Sequence, residues 1–341
     1  MRKLNKKQLD RITRCTLDKC RDIGLRHARE NVPFIRETIL DLKRKISRAD
    51  SAIVISAGPS LRRKDPARLI LREKLSQTIV CADGALYYCL RNGLIPDYVV
   101  SVDPHPERIV RYFGDPDLAK TPDDDYFRRQ DLDKAMNTDE VRRNREIVSL
   151  VNRWGKELSV IISTSVTPRI TRRCIDAGMK LYWWNPIYDD YEKKGSLTKK
   201  ISAITGAPCM STGGNVGTSA WIFANVILQA RRIALVGMDL SYPPGTSPYN
   251  TQYYHEMKEV FGENPDEGFI RIYNPYLKET WYTDPAYYWY RENFLQLARS
   301  VDSETCNCTE GGILFGRGIR FVRLADFLEK NRRVTECVQV K

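Results

Sequence analysis

The feature that most restricts the fold of this chain is a repeated order: a short apolar run, a turn carrying glycine or aspartate, then a segment with helical periodicity. Ala52-Ile53-Val54-Ile55-Ser56 leads into Ala57-Gly58-Pro59-Ser60-Leu61. Thr78-Ile79-Val80-Cys81-Ala82 leads into Asp83-Gly84 and a helix pattern (Ala85, Leu86, Cys89, Leu90) that Asn92-Gly93 stops. Tyr98-Val99-Val100-Ser101-Val102 ends in Asp103-Pro104. Runs of this kind, without polar alternation, are buried on both faces, which is the pattern of parallel strands. Strands alternating with helices need right-handed crossovers, so the expected fold is α/β, a Rossmann-like, mostly parallel sheet with helices on both faces.

The alternation breaks over 114–145, a charged stretch poor in large aliphatics that reads as an insertion. It resumes with Ser159-Val160-Ile161-Ile162, a helix from Pro168 to Ala177 closed by Gly178, and Leu181-Tyr182-Trp183-Trp184. A helix is expected from Val216 to Ala230, then the strand Ile233–Val236 and Gly237-Met238-Asp239. Residues 240–282, rich in Pro, Gly, Tyr and Asn, are too long and irregular for an ordinary connection and suit a lid or an acceptor-binding loop. A helix from Pro285 to Ser300, the turn Thr309-Glu310-Gly311-Gly312 and an amphipathic end (Phe321, Leu324, Phe327, Leu328) follow. The expected organisation is a basic helical region over 1–48, with a second helix from Pro33 to Ile46, a nucleotide-binding catalytic domain over 49–330, and a tail over 331–341.

Net charge is +12, and residues 1–50 carry +8 of it. That segment can meet an anionic membrane surface, or it can be a mixed-charge helix with Leu4, Leu9, Ile12, Cys15 and Ile23 inward. Nucleic acid is not an expected partner. No run approaches the ~18 apolar residues of a membrane span, the first residues lack the apolar centre of a signal peptide, and the expected location is the cytoplasm. The nine cysteines contain no C-x-x-C pair, so they are expected as reduced thiols.

Two glycine-bearing loops open helices. In Ala57-Gly58-Pro59-Ser60-Leu61, Gly58 lets the backbone approach a ligand and Ser60 can cap the next helix, whose positive end attracts phosphate. The loop is neither a Walker loop nor G-x-G-x-x-G, and the same residues also make a plain capped turn. In Ser211-Thr212-Gly213-Gly214-Asn215-Val216-Gly217-Thr218, the glycines expose amides while Thr212 or Asn215 can bond a ribose, base or phosphate. Close packing of helix on sheet is the other use of such glycines.

Acids just past strand ends, Asp83, Asp103 and Asp239, stand where open α/β sheets hold ligands. Of the three histidines, His105 and His255 are candidates for proton transfer, and His27 is expected at the surface. The aromatics Tyr253-Tyr254, Trp281-Tyr282 and Tyr287-Tyr288-Trp289-Tyr290-Arg291 can stack bases or sugars, or fill a core.

Six of these motifs in this order, Ala57–Leu61, Ala82-Asp83-Gly84-Ala85, Pro96-Asp97, Thr212–Gly217, Gly237-Met238-Asp239-Leu240 and Thr309–Gly312, resemble one family over roughly residues 31–330. It groups bacterial motility accessory factor glycosyltransferases with archaeal 6-hydroxymethylpterin diphosphokinases (MptE-like) and is related to bacterial sialyltransferases. The resemblance implies a nucleotide site over residues 57–61 and 212–217, and with the strand-end positions the expected binding set is Ala57, Gly58, Pro59, Ser60, Asp83, Gly84, Thr212, Gly213, Gly214, Asn215, Gly217 and Asp239. In the diphosphokinase branch, paired aspartates after the third strand hold magnesium. Here the place reads Val102-Asp103-Pro104-His105, and a lone carboxylate is a poor magnesium anchor. The expectation is therefore a glycosyltransferase using a CMP-linked acidic sugar and a hydroxyl acceptor on a protein or glycan, with His255, Asp103 and His105 as catalytic candidates. The alternative is pyrophosphate transfer from ATP with Mg2+ on Asp103 and Asp83, and a second alternative is a non-catalytic nucleotide- or nucleic-acid-binding module.

Overall fold

A computed structural model describes residues 22–73, 77–105, 109–118, 140–251 and 253–330, except for the side chains of 140, 141, 255, 256, 259 and 260. The strands are β1 (Glu37–Thr38), β2 (Ser51–Ile55), β3 (Thr78–Ala82), β4 (Tyr98–Ser101), β5 (Ser159–Ser163), β6 (Lys180–Pro186), β7 (Cys209–Met210), β8 (Arg232–Val236), β9 (Ile270–Asn274), β10 (Glu279–Thr283), β11 (Glu304–Asn307) and β12 (Arg320–Phe321). One sheet runs in the order β1-β6-β5-β4-β3-β2-β8-β11-β12, with β7 beside β6, and every pairing in it is parallel. The expected Rossmann-like α/β sheet is what the chain forms.

Strand alternation feeds two cores. Ile53, Ile55, Ile79, Cys81, Ala234 and Val236 face one layer, with Leu86, Leu90, Val151, Ile170 and Phe327 from the helices above them. Ala52, Val54, Val80, Ile233 and Leu235 face the other, covered by Trp221, Phe223, Phe294 and Leu295. Both faces being apolar is why the strands read as continuous hydrophobic runs.

From β2 the chain steps outward through β3, β4, β5 and β6, then returns to lay β8 on the free edge of β2 and goes outward the other way. The reversal lies between β2 and β8, and in open sheets a ligand crevice forms outside the carboxyl ends at such a point. The helix Val216–Val226 crosses that region on the second face, packed over β2, β3, β4 and β8.

Several expectations are corrected. The Pro33–Ile46 helix is a 3-10 turn (Val32–Phe34), the strand β1 and a helix at Ile39–Lys45. Thr38 and Asp41 form a reciprocal capping box that starts the helix there, while Glu37 and Thr38 pair with Tyr182 and Trp183. The helix after Asn215 stops at Val226, because Gln229 takes a left-handed φ of 51° as the chain turns into β8. His27 is buried and bonds the Ser165 carbonyl through Nδ1, and burial lowers its pKa. The segment read as irregular over 240–282 contains the helix Tyr254–Phe261 and the antiparallel hairpin β9–β10. Of the basic N-terminal region, the helix at 22–31 is described; residues 1–21, the tail and most of the 114–145 insertion lie outside the described residues.

No described helix is long and apolar enough to cross a membrane. Six described cysteines are free thiols.

The helix over the switch point depends on Phe223, fully buried with its ring 5.1 Å from Tyr98. Phe223→Ala should cost about 3–5 kcal/mol in urea unfolding. A loss below about 1 kcal/mol contradicts this packing.

Candidate functional site

The loops leaving β2 and β8 are seamed together. Ser56 N–H donates to the Val236 carbonyl at 2.8 Å and Gly58 N–H to the Gly237 carbonyl at 2.8 Å. A Cβ on Gly58 would stand 2.1 Å from Asp239 Oδ2, so this approach needs glycine. Ser60 does not cap its helix as expected: Pro59 holds the cap position, and the Ser60 hydroxyl donates to Asp239 Oδ2 at 2.7 Å. The Ser60 amide reaches the same oxygen at 3.3 Å. Two amides of the Gly-Pro-Ser loop are thus already engaged by the neighbouring loop.

Asp239 is 1% exposed. Its Oδ1 has no hydrogen-bond partner and faces Gly311, where a Cβ would lie 2.7 Å away. Burial pushes its pKa up from 3.8 to about 6, against the pull of the Ser60 hydrogen bonds and the Arg63 charge. The Arg63 guanidinium lies over Trp281 of β10, 5.4 Å from the ring centre. A second buried carboxylate, Asp284, starts the helix Pro285–Ala298 by accepting the Tyr287 amide at 2.8 Å, and it accepts the Tyr242 hydroxyl at 2.6 Å. Burial raises its pKa to about 6 as well.

The second glycine loop is held by its own side chains. Ser211 and Thr212 hydroxyls accept the Gly213 and Gly214 amides at 3.2 Å, and Asn215 caps Val216–Val226 by accepting the Thr218 amide at 3.0 Å. The amides of Val216 and Gly217, at the start of that helix, have no acceptor among the described residues, as first-turn amides lack an intrahelical partner. Gly217 lies against the end of β2, where its Cβ would stand 2.5 Å from Ser56 Oγ. Ser56 is 7% exposed, and its hydroxyl is buried without a partner. The two glycine loops therefore meet at Ser56.

Gly84, after β3, joins the same rim, its would-be Cβ 3.2 Å from the Ala57 methyl. Asp83 accepts the Gly84 amide at 2.7 Å and the Ser101 hydroxyl at 2.8 Å. Asp103 accepts the His105 amide at 2.8 Å in a local turn after β4, with both residues half-exposed. His255 lies in the helix Tyr254–Phe261, and its side chain is outside the described set. Among the described residues no group of three or more His, Cys, Asp and Glu is placed to hold a metal ion.

Ser56 carried no role in the sequence reading, and Asp284 was missed although Asp-Pro before a helical pattern is a legible cap signal. Trp281 was singled out as an aromatic, but its pairing with Arg63 had no signal, since it joins residues far apart in the chain.

Ionised Asp239 is disfavoured by the fold, so the native state holds its proton more tightly than the unfolded chain between pH 3.8 and about 6. Stability should fall as pH rises through that window and stay lowered above it. Asp239→Asn removes this loss, so its stability relative to the parent should climb by up to about 3 kcal/mol between pH 4 and 6.5, then level off. Urea unfolding across this range measures it, and a difference that stays flat contradicts the assignment.

The family model described as 6-hydroxymethylpterin diphosphokinase MptE-like matches residues 26–120, which carry β1 to β4 and the Gly58 and Asp83 loops. The expected resemblance to the MptE-like family holds over these residues. A solved structure, that of MAf glycosyltransferase from Magnetospirillum magneticum AMB-1, is similar at 14% identity with a TM-score of 0.48, covering 93% of this chain and 41% of that one. The chain thus spans less than half the length of that glycosyltransferase. No curated protein matches it.

Proposed function

We propose that this protein is a nucleotide-dependent transferase, with the phosphates of the nucleotide received at the start of the helix Val216–Val226. The observation that carries the reading is the convergence at the sheet's reversal of unpartnered donors: the Ser56 hydroxyl and the amides of Val216 and Gly217. A helix N-terminus presents free N–H groups and a positive dipole end, which suits an anion. Gly58, Gly84 and Gly214 shape the surrounding rim.

The group transferred is a sugar in the reading we favour, carried by a nucleotide such as a CMP-linked acid of the sialic type. The acceptor hydroxyl gives its proton to a base, its oxygen bonds the anomeric carbon, and the sugar–phosphate bond breaks with its electron pair leaving on the nucleotide. The amides stabilise that charge, which is where such donors contribute most to rate. Asp239 and Asp284 are buried and engaged with Ser60 and Tyr242, so the base falls to Asp103, His105 or His255.

One observation favours the second reading: the matched family model bears the diphosphokinase name. Pyrophosphate transfer from ATP would place Mg2+ on Asp103 and Asp83, with phosphate oxygens and water needed to complete six ligands. Such a site offers two carboxylates from separate strand ends and no adjacent pair, which is why sugar transfer is preferred.

Thermal-shift titration with CMP, CDP, UDP and ATP tests nucleotide binding. Ser56→Ala removes a buried hydroxyl that bonds nothing in the protein, so stability should stay within about 0.5 kcal/mol while nucleotide affinity falls. Gly217→Val should abolish binding. If no nucleotide stabilises the protein, the reading fails; AMP release dependent on both a pterin alcohol and magnesium would replace sugar transfer with the second reading.

A further inference from the structure

The aromatic run Tyr287–Tyr290 divides between interior and surface. Tyr287 packs on Tyr242 and Tyr253, with ring centres 5.6 and 5.7 Å apart. Trp289, two residues on, is 37% exposed. Its six-membered ring stands over the second glycine loop, where a Cβ on Gly214 would come within 2.6 Å of Cζ3. One helical turn later, on the same face, the Asn293 side chain donates to the Gly213 carbonyl at 2.7 Å. Tyr290 meets the indole side-on at 5.5 Å and 65° and also borders Gly214. Helix Pro285–Ala298 therefore grips the Gly213-Gly214 turn and leaves an indole exposed beside Gly214, which precedes Val216 by two residues in the chain.

We propose that Trp289 is the stacking platform for the base of the nucleotide whose phosphates sit at Val216, Gly217 and Ser56. The inference rests on the transferase reading for the phosphate position, and adds that the ligand carries an aromatic ring beyond its phosphates. Packing against Gly214 and Tyr290 holds the ring in place before any ligand arrives, so stacking orders little that is free beforehand. Every nucleobase presents a π face, so the platform selects for an aromatic group over a bare sugar phosphate without choosing among bases.

The test compares ligands that share the phosphate and differ in the base. Isothermal titration of the full chain with CMP, CDP, UDP and ATP is set against ribose 5-phosphate and inorganic pyrophosphate, using the parent, Trp289→Ala and Trp289→Phe. The expected result is about a tenfold weaker binding of the best nucleotide by Trp289→Ala, equivalent to 1.4 kcal/mol. Pyrophosphate and ribose 5-phosphate should change less than twofold, and Trp289→Phe should recover most of the loss. Unchanged nucleotide affinity in Trp289→Ala overturns the platform and leaves the phosphate site standing. An equal loss for all ligands also overturns it, because the ring then only props the glycine loop. If no phosphate ligand binds the parent protein, the transferase reading falls and the platform with it.

Discussion

The crevice depends on how closely the loop after β2 approaches the loop after β8. Gly58 lies where any side chain would collide with Asp239 Oδ2 and with the Gly237 carbonyl. The Ser60 hydroxyl and amide then fasten the seam from the β2 side. From the β11 side, Gly312 comes so near the Asp239 backbone that its Cβ would lie 2.1 Å from the carbonyl oxygen, and Ile313 N–H donates to that oxygen at 2.9 Å. The hairpin β9–β10 closes the layer above, through the bond from Asn274 to the Gly312 carbonyl and through Trp281 beside Gly311. Three strand ends are thereby joined around one buried carboxylate.

That arrangement bears on where the proposed anion site lies. On the β8 side the Gly58, Ser60 and Met238 amides are engaged and the nearest side chain is an acid, so a phosphate placed there would meet fewer donors and a like charge. Against the end of β2, the helix Val216–Val226 begins with unpartnered amides beside the Ser56 hydroxyl. The Gly-Pro-Ser loop is fastened to Asp239 by the Ser60 hydroxyl and amide, while Gly217 packs directly on Ser56 at the end of β2.

Much of the architecture was legible because parallel strands buried on both faces leave uninterrupted apolar runs, as in Ala52–Ile55 and Ile233–Val236. The short strands were not: β1 has two residues, and β11, Glu-Thr-Cys-Asn, contains polar side chains that bond within the protein, as Thr305 does with the Trp221 indole at 3.0 Å. The helix read from Pro33 was misplaced because a capping box inside an apolar segment overrode its periodicity. At the site, both glycine loops and the strand-end acids were legible from local sequence. That Asp239 bonds Ser60, and that Ser56 lies under Gly217, joins residues more than 150 positions apart, which no local pattern encodes.

Backbone strain divides the crevice in the same way. Leu240 and Glu310, just past β8 and β11, hold left-handed φ values of 51° and 52°, a conformation that side chains other than glycine seldom adopt and that costs of the order of 1–3 kcal/mol each. Each also bonds a neighbouring element: the Leu240 carbonyl accepts the Thr283 hydroxyl at 2.9 Å, and the Glu310 carboxylate accepts the Leu324 amide at 3.2 Å. Strain on this side is therefore anchored to the hairpin and to the last described helix, which fixes the β8–β11 half as a wall. The half formed by β3 and the Val216–Val226 helix has its positive φ values at Gly213 and Gly214, where they are tolerated without that cost. The proposed phosphate position therefore lies where the backbone is relaxed and the first amides of the Val216–Val226 helix have no acceptor among the described residues, opposite the loops that close around the buried Asp239.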